Sequence, residues 1–310
     1  MNGFLGEFGK GLAGRLTTAV ALPGLLFLGV AYYVFGLARW RPADGVLGLF
    51  AAHGSLLDLS GFARWSGRHL TVLAKAGTAD VIVTVAVALL LVLAAGLGAQ
   101  LAGWAVQRMW LGAVPFRAGL VRRRVRRWNA LDAPIDDLVS PDSPAESTDE
   151  AEITRLTARR NAVSLAVPTQ PTWIADRFAA VNTRVEQTYG LDLDFAWPHF
   201  LLIAEEQGRA EFLRSRDSFD RIARSAGWGV LYCLLGVLWY PALIAGALVL
   251  LLAWRTGRSA AGQLAGTIEA IVDLHLRDLA AALNLVSEED TAPLTLRTGR
   301  EITRILRKGS

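Results

Sequence analysis

The stretch Val81–Val106, "VIVTVAVALLLVLAAGLGAQLAGWAV", runs 26 residues without an Asp, Glu, Lys, Arg or His. About 20 apolar residues in a helix cross the ~30 Å of bilayer hydrocarbon, so this run predicts a membrane span. The "QRMW" that follows has the Trp-plus-Arg flank of a headgroup boundary. The same test works outward along the chain. Leu16–Ala38, "LTTAVALPGLLFLGVAYYVFGLA", is a charge-free run of 23 residues closed by "RWRP". Ala226–Trp254, "AGWGVLYCLLGVLWYPALIAGALVLLLAW", has 29 residues with Pro241 near its middle. It reads either as one kinked span or as a hairpin of two short spans meeting at "WYP", because proline disfavours helical geometry in the residue before it. The 310 residues are 53% hydrophobic, above the roughly 45–50% of soluble domains, and the excess is concentrated in these blocks.

Charge sets the expected orientation. Between Gln107 and Leu131 stand seven arginines and no acid, Arg108, Arg117, Arg122, Arg123, Arg124, Arg126 and Arg127. The positive-inside rule puts this end of the second span in the cytoplasm. The N-terminus, with Lys10 and Arg15, is then inside, and the basic tail after Trp254 prefers the same side. An even number of crossings follows, and the favoured count is four. "MNGFLGEFGKGLAGR" lacks the order of a cleavable signal peptide, so the first block is expected to be retained as a signal anchor. The expected location is the bacterial inner (plasma) membrane, multi-pass, with both termini cytoplasmic.

The fold class expected is all-α: a polytopic α-helical membrane protein with a small helical cytoplasmic domain. Its expected order runs as an amphipathic interfacial segment over 1–15, a first span over 16–38, and an extracytoplasmic loop with interfacial helices over 39–80. A second span over 81–106, a basic juxtamembrane segment over 107–130 and an acidic flexible linker over 131–152 come next. A helical cytoplasmic domain over 153–225, the membrane hairpin over 226–254 and a cytoplasmic helical tail over 255–310 complete it. In the linker, "LDAPIDDLVSPDSPAESTDEAE" offers few residues for burial to offset chain entropy.

"GLVRRRVRRW" makes Arg122, Arg123, Arg124, Arg126 and Arg127 candidates for contact with anionic lipid, at ~1 kcal/mol per basic residue near the surface. Nucleic acid is not expected as a partner. The expected partners are the bilayer with its anionic lipids and either a further protein or a second copy of the chain.

Within the cytoplasmic domain, Thr172 is a candidate N-cap. Ile174, Phe178, Val181, Val185 and Tyr189 form a helical apolar stripe, and Gly190 supplies a left-handed stop. Asp194 is expected to cap the next helix, with Pro198 near its first turn. The stretch from Pro171 to Phe200 resembles a segment of uncharacterised multi-pass membrane proteins of high-GC bacteria. Pro171, Thr172, Tyr189, Gly190, Asp192, Trp197 and Pro198 carry the likeness. His199 stands where that family has Arg, and Ala175-Asp176 where it has Gly-Asn. The resemblance implies the membrane architecture and no activity.

The candidate interaction residues are Asp192, Asp194, Trp197 and His199. No residue is put forward as catalytic, and no metal ligand or cofactor is expected. His199 with Asp192 or Asp194 offers an acid–base pair, yet no nucleophile motif, H-E-x-x-H or G-x-S-x-G accompanies it. His53, His69 and Asp58 show no convergent metal spacing. "GEFGKG" lacks the spacing of a phosphate loop. The lone Cys233 excludes an intrachain disulfide and a Cys-based metal site. Glu269, Asp273, His275 and Asp278 divide over two faces of one amphipathic helix, where Asp273 and Arg277 form a pair. Intramembrane charges, which mark ion paths, are absent from the apolar runs. The function expected is that of a non-enzymatic scaffold or signal-receiving module. The alternatives are an oligomeric pore-forming effector or channel and a membrane-bound lipid-acting enzyme.

Overall fold

The computed structural model describes residues 22–40, 63–64, 66–68, 71, 77–139, 147–287 and 294–307; these are mostly helical and contain no strand. The interfacial segment expected over 1–15, the start of the first span and nearly all of the loop bearing His53, Asp58 and His69 lie outside the described residues. The helices in chain order are α1 (Leu22–Trp40), α2 (Thr78–Trp110), α3 (Arg117–Val139), α4 (Ser147–Val163) and α5 (Trp173–Tyr189). They continue as α6 (Leu193–Ile203), α7 (Glu206–Leu235), α8 (Tyr240–Ala282) and α9 (Leu296–Leu306). They belong to two compact units, Met1–Val106 with Ile222–Trp254, and Gln107–Arg221 with Arg255–Ser310.

The first unit is apolar and is packed through glycines. On α2, Ala99 and Gly103 cross Ala223 and Gly227 of α7, a small-xxx-small pair on each helix. A Cβ on Gly103 would lie 2.8 Å from the Ala223 carbonyl oxygen, and one on Gly227 would overlap the Ala99 carbonyl. Helix α7 ends in a turn over 236–239, and α8 begins at Tyr240 with Pro241 in its first turn, where a backbone N–H has no intrahelical partner. Gly229 meets Val249 and Leu250, Gly246 meets Cys233, and Gly236 meets Leu243, so the apolar ends of α7 and α8 are antiparallel arms of a hairpin. At its tip Leu235 and Ala242 pack with Ala31, Tyr33 and Val34 of α1, and the Trp239 ring stands edge-on to Tyr33 at 5.4 Å. Among the described residues two helices, α2 and α8, are long and apolar enough to cross a membrane.

The second unit is an amphipathic helical assembly around Ile174, Val181, Val185, Leu191, Phe200, Val272 and Ile302, all essentially buried. Helices α3 and α4 pack side by side, and α9 packs on α5 and α6. This corrects the flexible linker expected over 131–152. Residues 131–139 continue α3 through Pro134, and α4 begins at Ser147, leaving 140–146 outside the described residues. Composition missed the partners. Ile135 is buried, and Asp132 accepts from Arg160 Nη1 of α4 at 2.7 Å.

Candidate functional site

The corner around Tyr189–Phe200 is built by its caps. Thr172 Oγ1 accepts from the Ala175 N–H at 3.1 Å and donates to the Trp110 carbonyl, opening α5. Gly190, at φ 70°, closes it and donates its N–H to the Glu186 carbonyl. The next cap is Asp192 rather than Asp194: the Asp192 carboxylate accepts from the Asp194 N–H at 3.1 Å. That correction has a simple cause, since two aspartates two residues apart offer equivalent chemistry and only the start of α6 at Leu193 selects between them. Pro198 sits in the second turn of α6, not its first.

Helix α9 occupies much of this corner. Arg307 Nη2 donates to Asp192 Oδ2 at 2.6 Å, and the Arg307 guanidinium lies 4.8 Å from the Phe195 ring centroid. The Asp192 N–H donates to Thr303 Oγ1 at 3.0 Å. Gly299 faces the Tyr189 carbonyl so closely that a Cβ would overlap it, and a Cβ on Gly190 would come within 2.5 Å of the Leu296 carbonyl oxygen. Of the four candidate interaction residues, Asp192 is therefore engaged within the chain. Trp197 packs edge-on against Phe212 at 4.9 Å. His199 Nδ1 lies 3.2 Å from the Phe195 carbonyl oxygen, a contact one helical turn back. Asp194 stays exposed. Among the described residues no hydrogen bond or ion pair joins His199 to Asp192 or Asp194, so the acid–base pairing has no geometry behind it.

A second cluster joins α5 to α8. Glu269 accepts from Arg177 Nη1 at 2.8 Å and from Arg184 Nη1 at 2.9 Å. Asp273 accepts from Arg184 Nη2 at 3.0 Å and from the Tyr189 hydroxyl at 2.8 Å. Asp273, followed by Glu269, holds the Arg184 guanidinium above its ordinary proton affinity. Desolvation, then the hydrogen bond to Asp273, raises the Tyr189 phenol. These carboxylates thus serve contacts between helices beyond any pairing along α8. His275 Nδ1 lies 2.8 Å from Asp278 Oδ2.

The arginine cluster splits by helix phase. Arg124, Trp128, Asp132 and Ile135 follow one inward row of α3, while Arg122, Arg123, Arg126 and Arg127 are exposed. Arg124 is not a lipid contact but an internal hub. Its guanidinium donates to the Asp176 carboxylate and to the carbonyls of Gln170 and Val163. Asp176, itself buried, also accepts from the N–H groups of Thr169 at 2.9 Å and Gln170 at 2.7 Å. Arg258 stacks 4.4 Å over the Trp173 ring and donates to the Ala162 carbonyl, and burial, then the charge of Arg124, lowers its proton affinity. This hub was missed in the sequence because five arginines in six positions look alike until the inward row is identified.

Two open grooves lie in the same unit. One, of about 370 Å³, is bounded by the 164–169 segment and α5, with Leu165 and Val167 exposed at its rim. The other, of about 700 Å³, lies between α7 and α8 and is lined by Glu205, Glu211, Gln263, Thr267 and His275. No three His, Cys, Asp or Glu gather at metal-binding distance among the described residues. Comparison with protein-family models, with curated proteins and with solved structures gives no match to this chain.

Proposed function

We propose that this protein is a non-enzymatic, multi-pass membrane scaffold whose helical second unit is an interaction module on the cytoplasmic side. One observation carries the reading. The charge-free run of α2 faces outward along most of its length, with Ile82, Leu90, Leu93, Leu97 and Leu101 all exposed. A soluble helix hides such a stripe, whereas lipid accepts it on every side.

The four-crossing arrangement with cytoplasmic termini extends that reading. Helix α1 supplies the first crossing and α2 the second. The hairpin arms are short, about 15 Å for Ala226–Leu235 and about 22 Å for Tyr240–Trp254, against ~30 Å of hydrocarbon. A hairpin returns the chain to its side of entry at either depth, so the parity of the topology does not depend on how far its tip reaches. Exposed Arg122, Arg123, Arg126 and Arg127 support contact with an anionic inner leaflet. The scaffold reading also rests on the use of charge in the second unit, where Arg124–Asp176, Arg160–Asp132, Arg177–Glu269 and Arg307–Asp192 tie helix to helix.

The test is impermeant thiol labelling of cysteines placed at residues 55 and 290 in a Cys233→Ser background in intact cells. Labelling at 55 only is expected. Labelling at both from outside sinks the arrangement.

A further inference from the structure

Residues 111–116 lead from α2 into α3, and Phe116, the last of them, is an anomaly on two counts. It is 87% exposed, the most exposed large apolar side chain among the described residues. It also has φ 59°, in the left-handed region that bulky L-residues seldom enter. The carbonyl of Phe116 accepts from the N–H groups of Gly119 at 2.9 Å and Leu120 at 3.2 Å, so this backbone posture starts α3. A strained residue that aims a benzyl ring into open space gains nothing from the fold around it, and such strain is retained where the surroundings in use require it.

What lies beside the ring identifies those surroundings. Leu120 is 39% exposed, and Leu120, Arg123 and Arg127 follow one row of α3 at i, i+3 and i+7. Arg122 and Arg126 border that row and are exposed as well. No described carboxylate forms an ion pair with any of these four arginines. An apolar tip flanked by guanidiniums that no described carboxylate pairs, ten residues after the charge-free run of α2, matches an interfacial membrane anchor. The ring and Leu120 enter the headgroup–acyl boundary, and the arginine stems snorkel so that their heads meet phosphate. A protein partner for the same face would need carboxylates at matching positions.

We propose that Phe116 and Leu120, with Arg122, Arg123, Arg126 and Arg127, form an interfacial anchor that binds an anionic lipid leaflet and fixes the angle at which α3 leaves the membrane. The proposal rests on the membrane reading of α2, and the test separates the two. Full-length protein carrying Cys233→Ser receives an environment-sensitive fluorophore at Phe116→Cys, at Leu120→Cys or, as a water-exposed control, at Glu211→Cys. Each is reconstituted into vesicles with or without phosphatidylglycerol, and flotation reports integration. The anchor predicts a blue shift at 116 and 120 in anionic vesicles, quenching by lipids carrying a shallow spin label, and protection from iodide. It also predicts loss of these signals when the four arginines become Gln, with the control unaffected throughout. Three results overturn it while leaving the membrane reading intact: floating protein whose 116 label is as open to iodide as the control, a label shielded from iodide yet untouched by spin-labelled lipid, and equal depth without anionic lipid. Failure to float overturns both.

Discussion

Arg124 and Asp176 meet as a half-buried guanidinium and a buried carboxylate, and the same arginine also donates to two backbone carbonyls, that of Val163 at the end of α4 and that of Gln170 ahead of α5. Removing one partner strands the other away from water. Arg124→Ala or Asp176→Ala is expected to cost about 3–5 kcal/mol, as for other broken buried pairs. Arg122→Ala, on the exposed face, is expected to change stability by no more than about 0.5 kcal/mol. Denaturant unfolding of purified protein in detergent reads the contrast, and equal losses at 122 and 124 would contradict the division of the cluster.

The first unit depends on backbone approach at glycine. Gly227→Ala places a methyl group in the Ala99 carbonyl, whereas Gly29 has no atom within 4 Å of an added Cβ. Overpacking of this kind costs about 1–3 kcal/mol. A drop in melting temperature for Gly227→Ala but none for Gly29→Ala is expected. Equal tolerance would mean that α2 and α7 do not cross at this point.

Helix α9 is held chiefly by shape. Gly299→Ala is expected to release it, seen as faster hydrogen exchange over Leu296–Leu306 and over the Tyr189–Leu191 backbone beneath it. The partly exposed ion pair to Asp192 adds less: Arg307→Ala is expected to cost about 1 kcal/mol or less and to leave the helix docked. Release by Arg307→Ala and not by Gly299→Ala would reverse that ranking.

Tyr189 gives a pH signature. Its phenol is raised in the folded protein by desolvation and by the bond to Asp273, so the folded state holds the proton more tightly than the unfolded chain. The stabilisation this provides is complete below the unfolded value of about 10 and is lost as pH rises through the folded one. Tyr189→Phe is expected to be less stable at neutral pH and to show a flatter decline above pH ~10. Parallel curves for the two proteins would remove the linkage.

The sequence made the caps at Thr172 and Gly190 legible because each rests on a local rule, an oxygen for an orphan N–H and a glycine for a left-handed turn. It misplaced the cap at Asp194 by two residues and read residues 131–139 as linker. Asp132 looks like a solvated acid until Arg160 of α4 is beside it, and Pro134 looks like a break until Ile135 is buried. The first error is a local choice between two equivalent aspartates; the second concerns a partner far along the chain. The candidate site divided the same way. The five arginines were visible as charge, but their division into one hub and four exposed groups required the phase of α3. Phe116 gave no sequence signal at all, because its meaning lies in exposure and backbone angle.

If α2 crosses the membrane, its two ends lie on opposite faces. Gly77 precedes the helix and Gly119 lies beyond it, where an added side chain meets open space. The 33 residues of α2 span about 50 Å, more than the hydrocarbon thickness. Single cysteines at Gly77 and Gly119 in the Cys233→Ser background, probed with an impermeant maleimide on intact cells and then on inverted vesicles, read their sides. A crossing helix gives labelling of Gly77→Cys only from outside and of Gly119→Cys only from the cytoplasmic face. Labelling of both from one face would contradict it.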